Sequence, residues 1–378
     1  MDAVDSIRRW GEARDWAGYD PYDALNSPLA PYLTLGTPVG RRALTQVVKR
    51  SPVNLRPLLR VRPAHNDKAL GLVASGYARL AVARADDSAA DAARRWLDHV
   101  VADAVVDGDG RAWGYHFDVR TRFFGYAKGT PNAIATSFVA HALLDGLELL
   151  GEARFGEAAR AATVFLLEHM LDDDGEELFF RYVPEERALV HNANLLACSV
   201  GVRTSALRAE PLDERIAAAV ATSVAAQHDD GSWLYAAGQT GDWVDNFHTG
   251  YVLESLCHCA ALIDGLSPAL ERGFDFWERE LFETGGAPRP APGRRFPIDA
   301  HDYAQAIETW LAALDRRQGA LERAERTAEL LVSQMLNPAG YVDFQRGRFL
   351  TNRVPFVRWT TAPTFRALAG LELARSRR

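Results

Sequence analysis

Six times along the chain a short polar cluster leads into a run rich in Ala, Gly and Leu. The runs are "HNDKALGLVASGYARL" from His65, "TPNAIATSFVAHALL" from Thr130 and "HNANLLACSV" from His191, then "DNFHTGYVLESL" from Asp245, "DAHDYAQAIETWLAAL" from Asp299 and "RWTTAPTFRALAGLELA" from Arg358. Successive starts lie 65, 61, 54, 54 and 59 residues apart, which marks the repetition of one supersecondary unit. Ahead of each run stands a second segment with helical spacing and one charged face. Five are clear: "DAARRWLDHVVADAV", "FGEAARAATVFLLEHML", "DERIAAAVATSVAAQ", "PALERGFDFWERELF" and "ALERAERTAELLVSQML". "VGRRALTQVVKR" is a weaker first member. The pattern predicts six helical hairpins, each with one buried and one exposed helix.

Such hairpins build either an open solenoid or a closed ring. A solenoid protects its ends with units that have polar outer faces. The final segment here, "APTFRALAGLELA", is as apolar as the internal ones, so the expected fold is all-α, an (α/α)6 toroid. The expected organisation is an N-terminal strap over residues 1–38, including "GYDPYDALNSP", and one toroid domain over 39–378. Connections from charged to buried helix are long and carry a "DG…W/Y" pattern, as in "DGDGRAWGYHF" and "DDGSWLYAAG". Long loops in a compact domain are usually functional. In a ring all six polar clusters meet at one mouth under these loops, where the helix N-termini favour an anion.

That placement turns the clusters into candidate chemistry. Asp245 and His248 are three apart and share a helical face. Asp299, His301 and Asp302 repeat the theme one unit later, and these five are the expected catalytic residues. Tyr251 and Tyr303 are lesser acid candidates. Expected substrate-binding residues are His65, Asn66, Arg56, His116, Tyr115, Asn132, His191, Asn192, Trp233, Arg353, Arg358 and Trp359. The strap could bring Asp20, Tyr22, Asp23 and Asn26 to the same place. Any one of these polar residues also fits as a simple helix cap. About half of the 17 Phe, 11 Tyr and 9 Trp fall in the long loops, Trp113, Phe123, Phe124, Tyr126, Tyr182, Tyr235 and Trp243 among them. Aromatic faces with charged hydrogen-bonding groups suit a sugar.

Composition narrows the partners. With 43 basic and 50 acidic residues the net charge is −7, which argues against nucleic acid or an anionic membrane as the main partner. No run reaches 18 uninterrupted apolar residues, so no transmembrane segment is expected. The N-terminus has no apolar signal core, and three cysteines make no disulfide framework. A cytoplasmic setting is therefore expected. Cys257, His258 and Cys259 are consecutive, so on a helix they diverge and cannot share zinc. "GTPVGRR" lacks the Lys-Ser/Thr of a phosphate loop. Neither a metal nor a cofactor is expected, and no segment specifies an oligomeric state.

The repeats resemble the six-hairpin toroid superfamily of glycosidases and epimerases. More narrowly, "GYDPYDALNSP", "NLRPLLRVRPAHNDKALGL", "ATSFVAHALLD", "DGSWLY…WVDNFHTGYVLESL", "FPIDAHDYAQAI" and "RFLTNRVPFVRW" are similar to a group of prokaryotic proteins of cell-surface polysaccharide or glycoprotein glycan assembly. The resemblance implies a glycan-processing enzyme acting on a sugar or oligosaccharide, anionic in character. Acid/base epimerisation of a uronic acid residue is the first expectation. The alternatives are a glycoside hydrolase with Asp245 and Asp299 as its carboxylate pair, and a non-catalytic glycan-binding subunit. "Q…DDGSW" around Gln227 to Trp233 also resembles the QW repeat of terpene cyclases, but the D-x-D-D run of that family is missing.

Overall fold

The computed structural model describes residues 3–121, 124–173, 175, 177–238 and 241–378. Its α-helices are α1 (Ala3–Glu12), α2 (Ala30–Thr34), α3 (Pro38–Arg50), α4 (Asp67–Arg84), α5 (Asp87–Ala102), α6 (Ala133–Leu150) and α7 (Ala153–Phe165), followed by α8 (His191–Arg208), α9 (Glu214–Ala225), α10 (Asn246–Cys259), α11 (Ser267–Glu280), α12 (Ala300–Ala312), α13 (Ala320–Met335) and α14 (Ala362–Ser376). The apolar repeats are α4, α6, α8, α10, α12 and α14. Four of them open on a side-chain cap: Asn66, Asn132, Asp245 and Asp299 each accept a backbone N–H from the first turn. Capping satisfies donors that have no intrahelical partner.

The six apolar helices pack in sequence, and α14 returns to pack on α4. That last contact makes the solenoid a ring. Close approach there needs glycine: a Cβ on Gly76 would stand 2.6 Å from the Phe365 ring. By length and composition α6 could cross a bilayer, but most of it is buried inside the ring.

Around the outside, α5, α7, α9, α11 and α13 each lie against the inner helix that precedes them in the chain. The sixth outer position differs from the sequence expectation. It is filled by α1, which packs on α14, with Arg8 paired to Asp86 at 3.0 Å and Asp5 to Arg84 at 2.6 Å. The predicted first member, now α3, is helical but lies over the mouth. Only Thr45 and Val48 of α3 are buried, too narrow a stripe to pack on a ring. By contrast α1 buries Val4, Ile7 and Trp10, an apolar residue every three positions.

At the far end the inner helices meet in an ionic floor. Arg79 pairs with Glu308 at 2.7 Å and Arg203 with Asp145 at 2.9 Å, while Arg366 lies 3.3 Å from Glu308 and 3.5 Å from Glu254. The mouth loops form short antiparallel pairs, the largest a three-stranded ribbon of residues 298–299, 345–346 and 351–352.

Candidate active site

At the mouth the helix N-termini and loops enclose a cavity of about 250 Å³, at the small end of ligand sites. Aromatic rings make most of its wall. Tyr115 stacks on Phe117 at 5.3 Å, Phe124 on Tyr182 at 4.2 Å and Tyr235 on Trp243 at 4.3 Å between ring centroids, and Tyr22, Tyr126, Phe247 and Trp359 complete it. Phe123 lies outside the described residues.

Two proton-carrying pairs face this cavity. The first is on α10, where Asp245 does two jobs. One carboxylate oxygen caps the helix at the His248 N–H, 3.0 Å away, and the other is 2.7 Å from His248 Nδ1 and also accepts from Trp243 Nε1 at 3.0 Å. A carboxylate on Nδ1 fixes the ring orientation and tautomer, and it leaves Nε2 to the cavity. The second pair joins α10 to α12. His301 Nδ1 is 2.7 Å from the Trp359 carbonyl and Nε2 is 2.6 Å from the Tyr251 hydroxyl. A carbonyl only accepts, so Nδ1 carries the proton, the neutral ring leaves Nε2 bare, and Tyr251 donates to it. Burial, with Lys68 nearby, holds the His301 imidazolium form far below its ordinary range. Burial likewise pushes the Tyr251 phenol well up.

Two cations complete the cavity. Arg358 sits in a π-helical turn, Val357–Thr361, that runs into α14. Buried against the Tyr115 ring at 4.8 Å, it is gripped by Asp20 of the strap through Nε and through Nη2 at 2.8 Å. Burial alone would raise the Asp20 carboxyl, but the Arg358 charge outweighs it and holds the acid ionised. Lys68 is in a different position. It is 4% exposed, makes no ion pair among the described residues, and points its Nζ at the Phe138 ring, 3.8 Å from the centroid. Burial, reinforced by Arg358, pulls its pKa well down. The ring faces of Phe138 and Tyr251 favour the cation instead. Desolvation is the larger effect for a lysine without a counter-ion. Asn192 also lines the cavity, and its buried Oδ1 has no hydrogen-bond partner among the described residues.

Of the residues expected from sequence, His248, His301, Tyr115, Asn192, Arg358 and Trp359 line the cavity. Asp245 stands directly behind His248. Asp299 is turned away from the space: its oxygens accept from the His301 N–H, from Trp359 Nε1 at 3.2 Å and from Gln345 Nε2 at 2.6 Å. Asp302 is buried and accepts from the Phe247 N–H, and desolvation with its acidic neighbours Asp299 and Asp245 drives its pKa far up. A carboxylate pair of Asp245 and Asp299 across an open cleft is therefore not what the ring presents. Arg56 is committed to Asp23 at 2.5 Å, and Asn66 caps α4 and contacts His116 at 3.2 Å, beside Asp20. His191 and Trp233 line a crevice behind Tyr235, His191 held by Ser223 at 3.1 Å. Asn132 only caps α6. His65 bonds to the Asp15 carbonyl, and Arg353 is exposed near Asp343. From the strap, Tyr22 reaches the cavity, Asp20 and Asp23 anchor arginines, and Asn26 bonds to the His116 carbonyl.

Neither a family model nor a curated relative matches the chain by sequence. Solved structures do match by shape. The protein has the (α/α)6 toroid fold. A sugar epimerase from a ruminal bacterium is similar over 82% of this chain and 87% of its own, with a TM-score of 0.59 at 13% identity. The family 76 α-mannanase of Bacteroides thetaiotaomicron is similar over 84% and 89%, with a TM-score of 0.64 at 11% identity. An unsaturated glucuronyl hydrolase specific for heparin covers 99% of this toroid and 95% of its own chain, with a TM-score of 0.62 at 11% identity.

Proposed function

We propose that this toroid is a carbohydrate enzyme that epimerises a uronic acid residue by moving the proton beside the carboxylate. One observation carries the reading. The cavity holds an uncompensated lysine, a second cation and two imidazole-based proton pairs, and no carboxylate lines it among the described residues. Lys68 needs an anion, and a substrate carboxylate at Lys68 and the remaining edge of Arg358 supplies one. The same cations stabilise the charge that develops when the adjacent C–H is broken. His248, with Asp245 at its back, takes the proton. Tyr251 returns one by turning its hydroxyl from His301 Nε2 to the substrate carbon, and its phenolate forms near Lys68. Exchange with solvent restores both groups after release.

Glycoside hydrolysis ordinarily needs two carboxylates flanking the bond, and neither Asp245 nor Asp299 is available for that. The two proton pairs that face the open cavity also favour an enzyme over a non-catalytic glycan-binding subunit. The motif resemblance adds cell-surface glycan biosynthesis as the setting. A reducing, cytoplasmic location belongs to the same proposal, consistent with three buried free thiols.

The test is incubation with uronate-containing glycans in D2O, followed by NMR and a reducing-end assay. Deuterium beside the carboxylate without new reducing ends is the expected result. New reducing ends without exchange would replace this reading with hydrolysis.

A further inference from the structure

Exposed apolar side chains cluster on one part of the surface. Tyr32, Leu35, Val39, Val47, Val53, Leu58, Phe349 and Leu350 are each between 61% and 86% exposed. Elsewhere among the described residues only Val106 is comparable. The two segments that carry them are tied together, because Asn352 Nδ2 donates to the Ser51 carbonyl at 2.9 Å. The ladder of Ile298 with Arg346 brings the exposed Arg294, Arg295 and Phe296 alongside.

Charge follows the same map. Between Asp23 and Asp67 there is no acidic residue, but Arg41, Arg42, Lys49, Arg50, Arg56, Arg60 and Arg62 are all basic. Between Asp343 and Glu372 the pattern recurs, with Arg346, Arg348 and Arg353 in the exposed ribbon. Asp23 takes Arg56, and Asp118 takes Arg41. Arg42, Arg50, Arg60, Arg62, Arg346 and Arg348 remain on the surface with no ion pair among the described residues. The chain's net charge of −7 conceals this local excess.

Leu35 adds a backbone argument. It ends α2 in the left-handed region at φ 50°, a conformation that favours Gly or Asn, and its side chain is 84% exposed. Within the isolated fold a leucine gains nothing there. An apolar phase against this face gives it a role.

We propose that this face docks on an anionic lipid bilayer. Apolar side chains enter the interface and arginines meet the headgroups, the pairing that holds interfacial helices on membranes. The face adjoins the cavity. Lys49 of α3 bonds to the Tyr22 hydroxyl at 2.6 Å and lies 5.4 Å from the Trp359 ring, and both aromatics line the cavity. Docking would therefore present the mouth to glycans held at the membrane. The inference rests on the surface alone and stands whatever reaction the cavity performs.

The experiment is flotation of the full chain with vesicles of phosphatidylcholine alone and of phosphatidylcholine with phosphatidylglycerol, at low and high salt. Two variants accompany it, Leu35→Asp with Leu58→Asp, and Arg42→Glu with Arg50→Glu, each checked for unchanged helical circular dichroism. Flotation with the anionic vesicles, weakened by salt and lowered more than about tenfold in the charge variant, is expected. No flotation, or flotation that both variants leave unchanged, overturns the proposal. So does sedimentation velocity showing a dimer that the apolar variant dissociates, since the face would then be covered by a second copy.

Discussion

At the residue scale, Lys68 is the most informative group in the cavity. A buried cation without a counter-ion weakens the fold and is retained for what it binds. Lys68→Met should raise thermal stability by ~0.5–2 kcal/mol while abolishing affinity for the anionic sugar. The sign of the pH effect follows from its depressed pKa. Stability is intact above the unfolded lysine value, near ~10.4, and is lost as pH falls through the lower folded value. The gap between variant and wild type should therefore narrow as the pH is raised, which denaturation curves across pH will check. His248→Asn and Tyr251→Phe should behave differently, cutting deuterium incorporation by about 10²–10⁴ with little change in substrate affinity by calorimetry. The sequence made His248 visible, because Asp245 lies three residues before it on one helical face. It offered Tyr251 only as a lesser acid candidate beside Tyr303, and it did not single out Lys68. His301 turns out to be engaged through both nitrogens, and only the fold reveals that Tyr251, which donates to its Nε2, lines the cavity beside it. Lys68 is one more polar residue in a helical first turn until the missing carboxylate is seen.

At the element scale, the strap acts through a single ion pair. Asp20 holds Arg358, and so fixes the π-helical turn from which Trp359 also projects. Asp20→Ala would leave a guanidinium buried and unpaired, and loss of one partner from a buried pair costs about 3–5 kcal/mol. A loss of unfolding free energy, from denaturant curves, of less than a third of that would mean that Arg358 finds other acceptors and that the strap is only a cover. The strap also explains the one misplaced helix. The six inner helices were legible because a polar cluster precedes each long apolar run, although in only four of them does that cluster supply a side-chain cap. The outer helix of the first hairpin was not, because residues 13–66 separate α1 from α4 and hold an amphipathic decoy, α3. Periodicity reports that a helix has an apolar stripe and says nothing about whether that stripe faces protein or solvent.

At the scale of the whole molecule, ring closure makes buried polar groups from all parts of the chain titrate as one structure. Burial is the first cause of depression for each of five histidines. His116 and His191 fall to about 4, His258 to about 3, and His141 and His301 well below the ordinary value. A group depressed in the fold stabilises it above the unfolded pKa, near ~6.5 for histidine, and that stability is lost as pH falls toward the folded value. Each histidine contributes up to about 1.4 kcal/mol per pH unit in that window. Buried acids oppose the trend. Asp67 is raised to about 7 and Asp23 to about 6 by burial, and Asp302 further, so their ionisation destabilises the fold as pH rises. Above pH ~6.5 the raised acids lower stability as pH rises while Lys68, depressed in the fold, raises it, so the net change should be small. Below that pH the five histidines and Lys68 together outnumber the buried acids Asp23, Asp67, Asp299 and Asp302, and stability should fall toward pH 4. The ring should therefore hold its stability above about pH 6.5, lose it toward pH 4 and unfold as one cooperative unit under acid. Calorimetry from pH 4 to 8 checks both points. A melting temperature that kept rising below pH 6 would mean that those histidines are solvated and that the mouth and floor are wetter than this packing allows.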